Sequence, residues 1–329
     1  MVTPVEIGNV LAAASRIREN VERVIVGKDH AVTLILIAIL CEGHVLIEDV
    51  PGIGKTTLAK AIARSLGCTV RRIQSTPDLL PSDVTGTHVF NQKTSEFEFR
   101  PGPIMAQLVL IDEINRATPR TQSALLEAME ERQITVDGET MAMPRPFLVL
   151  ATQNPIELEG TFPLPEAQID RFLIRIKLGY PSSEEDREIL TRLTEENQLD
   201  ALEPVLQSAD LLEMQRLVRR VHVAEATKEY VINLAHATRS DAAVELGASP
   251  RAMVQLFHAA QARAAVSGRE YVQPDDVKAM APYVLSHRIV IKPQSRLRGG
   301  IAEDIVDNIL ESVPVPVEQE TQVSDITNA

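Results

Sequence analysis

The chain has 329 residues, with 33 Lys and Arg against 46 Asp and Glu, for a formal net charge of -13. That length predicts two domains, and 44% hydrophobic with 24% charged residues excludes a disordered or fibrous chain over most of its course. The acidic balance argues against a protein whose main task is clasping nucleic-acid backbone, although residues 299–329 hold seven acids and no Lys or Arg, which leaves -6 for the rest.

In chain order, Glu6, Arg16, Arg18 and Glu19 interrupt the start, so no export leader is read there. The longest apolar run, residues 31–41, is about half of the roughly 20 residues that span a bilayer, and it reads as a buried helix. Cys41 and Cys68 supply neither a disulfide framework nor a metal cluster, and a reducing, cytoplasmic setting is expected. Short apolar or β-branched runs at 45–47, 70–73, 108–111, 147–151 and 172–176 are separated by helical stretches. They predict an α/β domain over 1–181, with a parallel five-stranded sheet covered on both faces. Two pieces break the rhythm and read as β-hairpin inserts: 87–100, around the polar centre 91–95, and 134–142, around Asp137-Gly138. Tyr180-Pro181-Ser182-Ser183, followed by Glu184, Glu185 and Asp186, marks a join near Pro181. From Ser182 the strand-like runs stop. Segments 208–221, 224–238, 249–266 and 274–287 have helical spacing, with Ser208 and Ser249 as N-caps, and predict a small all-α domain over 182–312. Residues 313–329 carry too little apolar surface to pack, and a disordered acidic tail is expected.

Residues 45–57 read as a strand, a glycine loop and the start of a helix, the order that phosphate binding requires. Gly52 and Gly54, flanking Ile53, let the backbone approach an anion; Lys55 reaches the β- and γ-phosphates, and Thr56, followed by Thr57, holds Mg²⁺. The full P-loop pattern has glycine where this chain has Asp49. A second apolar strand ends in Asp112 and Glu113, placing one carboxylate in the Mg²⁺ shell and the other on the attacking water; the plain alternative is an acidic helix cap. No Asn-Lys-x-Asp motif is present, which favours ATP over GTP. A third strand ends at Gln153-Asn154-Pro155, where Asn154 either positions the γ-phosphate and water or forms a turn. Arg171 stands between Asp170 and Phe172, with a surface ion pair as its alternative role. The histidines show no metal-ligand spacing, leaving Mg²⁺ with ATP as the expected metal.

With these residues placed, the chain resembles the AAA+ ATPases and, within them, the MoxR family. The likeness spans residues 21–282 and rests on the P-loop, Leu110-Ile-Asp-Glu-Ile-Asn-Arg-Ala117, Ala151-Thr-Gln-Asn-Pro155, the run from Glu159 to Phe172, and Gly247-Ala-Ser-Pro-Arg251. It implies that Asn154 is sensor 1, that Arg251 is the sensor 2 residue touching the bound nucleotide, and that Val26 and Gly27 lie against adenine. Arg171 would be the arginine finger offered to a neighbour's ATP, ahead of Arg116 and Arg120, in a ring that is expected to be hexameric. The hairpins correspond to the helix 2 and pre-sensor 1 inserts, and Phe90, Phe97 and Phe99 of the first either grip a client or, the preferred reading, pack the hairpin on its own domain. The resemblance implies ATP hydrolysis and chaperone-like maturation of client proteins, including cofactor or metal insertion, with a partner bearing a von Willebrand factor A domain. Two other classes stay open: a nucleic-acid motor with Arg71, Arg72, Arg216, Arg219 and Arg220 along a groove, and a nucleotide-dependent switch or scaffold.

Overall fold

The computed structural model describes residues 2–50, 52–155, 160–192 and 198–316, so the expected tail lies outside the described residues from 317 onward. The chain opens with two helices, α1 (Pro4–Glu22) and α2 (Asp29–Leu40). The sheet domain follows as β1 (His44–Glu48), α3 (Lys55–Ser65), β2 (Val70–Gln74), a one-turn α4 (Pro81–Thr85), β3 (Gly86–Asn91) with β4 (Glu96–Pro101), β5 (Leu108–Asp112), α5 (Pro119–Glu131), β6 (Gln133–Val136) with β7 (Glu139–Ala142), β8 (Leu148–Gln153), a short α6 (Glu166–Ile169) and β9 (Phe172–Ile176). The C-terminal half contains α7 (Ser183–Arg192), α8 (Ser208–Val218), α9 (Glu225–Ser240), β10 (Val244–Leu246), α10 (Pro250–Val266), α11 (Pro274–Leu285), β11 (Val290–Ile291), α12 (Pro293–Leu297) and α13 (Ala302–Ser312).

All five predicted strands form, and they pair in the order β2-β5-β8-β1-β9, parallel throughout. The inner strands β5, β8 and β1 are buried almost end to end, because helices cover both faces and leave no polar side to alternate with. Edge strand β2 exposes Arg71 and Arg72, which explains its broken apolar pattern. Both hairpins form. In the second, Asp137 and Gly138 take positive φ, 51° and 87°, as a tight primed turn demands.

Residues 34–40 of α2 are buried on every side, because α2 lies between the sheet and the C-terminal helices and packs on α1, β9, α8 and α10. One apolar core therefore runs from Val45 and Ile47 through α2 to Leu256 and Ala259 of α10, and the two halves share it across the join expected near Pro181. No described helix is long and apolar enough to cross a membrane. The Ser249 hydroxyl accepts from the Ala252 amide, capping α10 as expected. At α8 the cap is Gln207, whose amide donates to Asp210, while Ser208 is taken by Gln107. The helical half also carries the ribbon of β10 and β11, strands of three and two residues that are too short for periodicity to reveal.

Candidate functional site

The carboxyl ends of β1, β5 and β8 are adjacent in the sheet, so whatever follows each strand meets at one edge. After β1 comes the loop, in which Gly52 and Gly54 both take φ of 85°, a left-handed conformation that glycine adopts without strain. Gly54 is also the N-cap of α3 and offers no side chain, so the first-turn amides of Lys55, Thr56 and Thr57 are not capped from the N-cap position. They adjoin a cavity of about 290 Å³ lined also by Asp112, Glu113, Thr152 and Asn154. Lys55 Nζ donates to the Asp49 carbonyl at 2.8 Å. Burial lowers its pKa, against the pull of Asp49, Asp112 and Glu113.

Asp49, in the place of the usual first glycine, has a structural task. One carboxylate oxygen accepts from the Val50 amide at 2.9 Å, and the other accepts from the Leu178 and Gly179 amides at 2.7 Å each. The loop is thereby tied to the segment that leaves β9 for the helical half.

At the end of β5, Asp112 accepts a 2.6 Å bond from Arg72 Nε on one oxygen and faces the Thr152 hydroxyl with the other. A carboxylate already holding a cation, beside the Thr56 hydroxyl, is a hard-oxygen donor set that fits Mg²⁺. Among the described residues no group of three His, Cys, Asp or Glu could hold a metal alone, and this set would draw the rest of its shell from phosphate and water. Glu113 stands at φ 55° and ψ 51°, a strained conformation held by its amide bond to Thr152 Oγ1 at 2.9 Å. Its carboxylate accepts from Gln74 at 3.2 Å and from Arg116, ranked as a rival trans contact, at 3.4 Å.

Sequence reasoning missed Arg72 and Gln74 as site residues. Their signal is the parallel register, Arg72 opposite Leu110 and Gln74 opposite Asp112, which puts alternate residues of β2 beside the two acids.

Arg171 and Arg251 are not in this cavity. Arg171 immediately precedes β9, whose Phe172 pairs with His44 at the start of β1, so it lies at the amino edge of the sheet. A strand of five residues separates the two edges by about 16 Å. There Arg171 Nε donates to Glu130 Oε2 at 2.6 Å, and Arg251 Nη2 is paired with Glu130 Oε1. The resemblance implied that Arg251 touches the bound nucleotide; within this subunit it shares a carboxylate with Arg171, because α10 packs on α2 and brings its N-terminus to the amino edge. Ile53, Val26 and Gly27 are outside the cavity lining given by the described residues. Gly27 takes φ 67° with Glu185 of α7 directly against its α-carbon, beside the exit from the sheet domain.

Residues 44–174 match the ATPase family associated with various cellular activities (AAA), and residues 236–309 match the AAA lid domain. The uncharacterized protein YeaC of Bacillus subtilis (strain 168) is 51% identical over 301 residues, covering 92% of this chain and 94% of its own. Chaperone MoxR1 of Mycobacterium tuberculosis is 44% identical over 306 residues, covering 90% of this chain and 81% of its own. The crystal structure of a candidate ATPase from Cytophaga hutchinsonii superposes with a TM-score of 0.89 at 36% identity, covering 95% and 97% of the two chains. Loop, paired acids and lid on this sheet define the class, the AAA+ ATPases. Within that class, the chain belongs to the MoxR family.

Proposed function

We propose that the chain binds ATP with Mg²⁺, hydrolyses its β–γ phosphoanhydride bond in a head-to-tail ring, and uses the cycle to remodel or mature client proteins. The observation that carries this reading is the division of the site. The loop, Asp112, Glu113 and Asn154 meet at the carboxyl edge of the sheet, and Arg171 with Arg251 stands at the amino edge. A site split across opposite ends of one subunit is complete only between copies, and a heterologous contact of that kind forms a ring when the rotation between copies closes.

The α3 amides and Lys55 would hold the phosphates, and Thr56 and Asp112 would hold Mg²⁺. When bound, the metal neutralises charge developing on the transferred phosphoryl group. Glu113 takes the proton of the attacking water, and Asn154 orients that water against the γ-phosphate. Arg171 and Arg251 of the next copy stabilise the equatorial oxygens, a contribution worth about 10³–10⁵ in rate where such fingers have been measured. Val26 and Gly27 would sit near adenine, at the junction of the two halves.

The naming of a relative as a chaperone supports a protein client, with a hexameric ring, a von Willebrand factor A partner and a cytoplasmic setting as further parts of the proposal. Support also comes from the first hairpin: Phe99 packs on the core, but Phe90 and Phe97 are 50% and 71% exposed, stacked edge to face at 5.3 Å. The packing reading thus holds for one ring of three, and the other two are available to a client. The nucleic-acid motor loses ground, since four of its five arginines are paired, Arg72 with Asp112, Arg216 with Glu213, Arg219 with Glu42 and Arg220 with Glu6, while Arg71 is exposed on β2.

The test is a mixing experiment. Glu113→Gln and Arg171→Ala proteins are each inactive alone, and their mixture regains Mg²⁺-dependent ATPase activity because some interfaces combine an intact Glu113 with a neighbour's intact Arg171. No activity in the unmodified protein at high concentration sinks the hydrolase; no recovery on mixing sinks the shared site. ATP-dependent partner capture surviving Glu113→Gln without turnover would favour the switch or scaffold.

A further inference from the structure

The amino edge of the sheet concentrates positive charge in an acidic protein. Arg132, Arg145 and Arg219 converge on Glu42, and Arg171 and Arg251 converge on Glu130, five guanidinium groups on two carboxylates; Arg132, Arg171, Arg251 and both carboxylates line a cavity of about 190 Å³. Glu130, near the end of α5, is the bridge in the second group. One of its oxygens takes Arg171 from the sheet domain, and the other takes Arg251 from the first turn of α10 in the lid. The hydrogen bond from Arg251, seconded by Arg171, holds the Glu130 carboxyl below the usual carboxylate range. Two guanidinium groups aimed at one small oxyanion form the geometry that receives a phosphate group.

Building on the ring reading above, in which Arg171 and Arg251 meet the terminal phosphate of a neighbouring copy's ATP, we propose that Glu130 makes this receptor discriminate ATP from ADP. In the separate subunit, Glu130 occupies the receptor. A neighbour's γ-phosphate, which carries more charge than one carboxylate and projects from its loop toward the interface, displaces it. ADP ends one phosphoanhydride link short and leaves Glu130 in place. Assembly is thereby made conditional on the triphosphate, and the Arg251–Glu130 link between the lid and the sheet domain is exchanged for a link through the neighbour's phosphate.

The experiment measures self-association by sedimentation velocity with Mg²⁺ and either ADP or a non-hydrolysable ATP analogue. The unmodified protein associates more tightly with the analogue. Glu130→Gln, which keeps the shape and removes the charge, tightens association with ADP by about tenfold and shrinks the analogue-to-ADP ratio accordingly. Glu130→Asp retains the charge and keeps most of the discrimination, which separates the role of charge from a loss of packing; thermal melting checks that both variants fold. An unchanged ratio in Glu130→Gln overturns the proposal, as does weaker association with both nucleotides, the mark of a carboxylate that only positions the arginines. Failure of the ring reading is recognised separately: Arg171→Ala then associates as the unmodified protein does and recovers nothing when mixed with Glu113→Gln, and this proposal falls with it.

Discussion

Asp49 replaces a glycine that the P-loop pattern asks for, and its carboxylate accepts from three backbone amides, Val50, Leu178 and Gly179. Asparagine has one acceptor oxygen for two directions, so Asp49→Asn leaves part of this set unmet, and Asp49→Ala leaves all of it. Each lost charge-assisted bond costs about 1–3 kcal/mol. Urea unfolding is expected to show Asp49→Ala less stable than Asp49→Asn, and a fluorescent ADP analogue should bind both more weakly because the loop is no longer tied to the exit from β9. Equal stability for all three proteins would remove the tie.

His44 illustrates a buried residue with a definite pH signature. Its Nδ1 accepts from the Val149 amide at 3.0 Å, so the proton is on Nε2, which donates to the Met129 carbonyl at 3.1 Å. Both nitrogens are committed to the neutral ring, and burial pushes the pKa down to about 4. The unfolded chain takes up a proton near pH 6.5 while the folded chain does not, so this contribution is fully present above 6.5 and is lost as pH falls toward 4. The slope is up to about 1.4 kcal/mol per pH unit. His287, pushed down by its burial and then by Arg288 and Arg175, acts in the same direction. Urea midpoints measured from pH 7.5 to 5 should fall less steeply in His44→Gln than in the unmodified protein.

At the scale of elements, the turn Ser286–Arg288 after α11 connects the lid to the segment that carries Arg171. The Arg288 side chain is almost wholly enclosed, donating to Asp170 at 2.7 Å and to the carbonyls of Asp170, Phe172 and Leu173, the residues around Arg171. A rotation of the lid therefore carries Arg171 with it. Removing one partner of a buried pair costs about 3–5 kcal/mol. Arg288→Met is expected to lose stability on that scale in urea unfolding, and Arg288→Lys, with fewer donors and no planar fork, to recover only part of it.

The same elements explain what was legible from the sequence. Lys55, Thr56, Asp112, Glu113 and Asn154 were readable because each lies within a few residues of a strand end, and their meeting follows from adjacency of three strands. Arg72 and Gln74 were not, because their relation to Asp112 and Glu113 exists only in the β2–β5 register. The location of Arg251 depends on α10 packing against α2, more than 200 residues apart, and no local pattern reports that. Glu130 stands in the last turn of an ordinary amphipathic helix and gains meaning only from two arginines brought to it by different domains.

For the whole molecule, the two edges of the sheet differ in charge. Asp49, Asp112 and Glu113 face Lys55 and Arg72 at the carboxyl edge, and bound ATP adds several negative charges there. Five arginines against two glutamates stand at the amino edge. In the ring proposed above, copies stacked head to tail would bring these unlike edges together while like edges repel, so the subunit's own charge distribution would set the polarity of such a ring. Screening tests this directly, since the Debye length falls from about 10 Å at 0.1 M to about 3 Å at 1 M salt. Association in the presence of a non-hydrolysable ATP analogue should weaken steeply between about 0.1 and 0.5 M salt. The double change Arg145→Ser with Arg219→Ser, outside the nucleotide cavity, should weaken association and flatten its salt dependence while leaving the nucleotide affinity of dilute subunits unchanged. Salt-independent association would mean that apolar contact holds the copies together, and the opposed charges of the two edges would then have no part in orienting them.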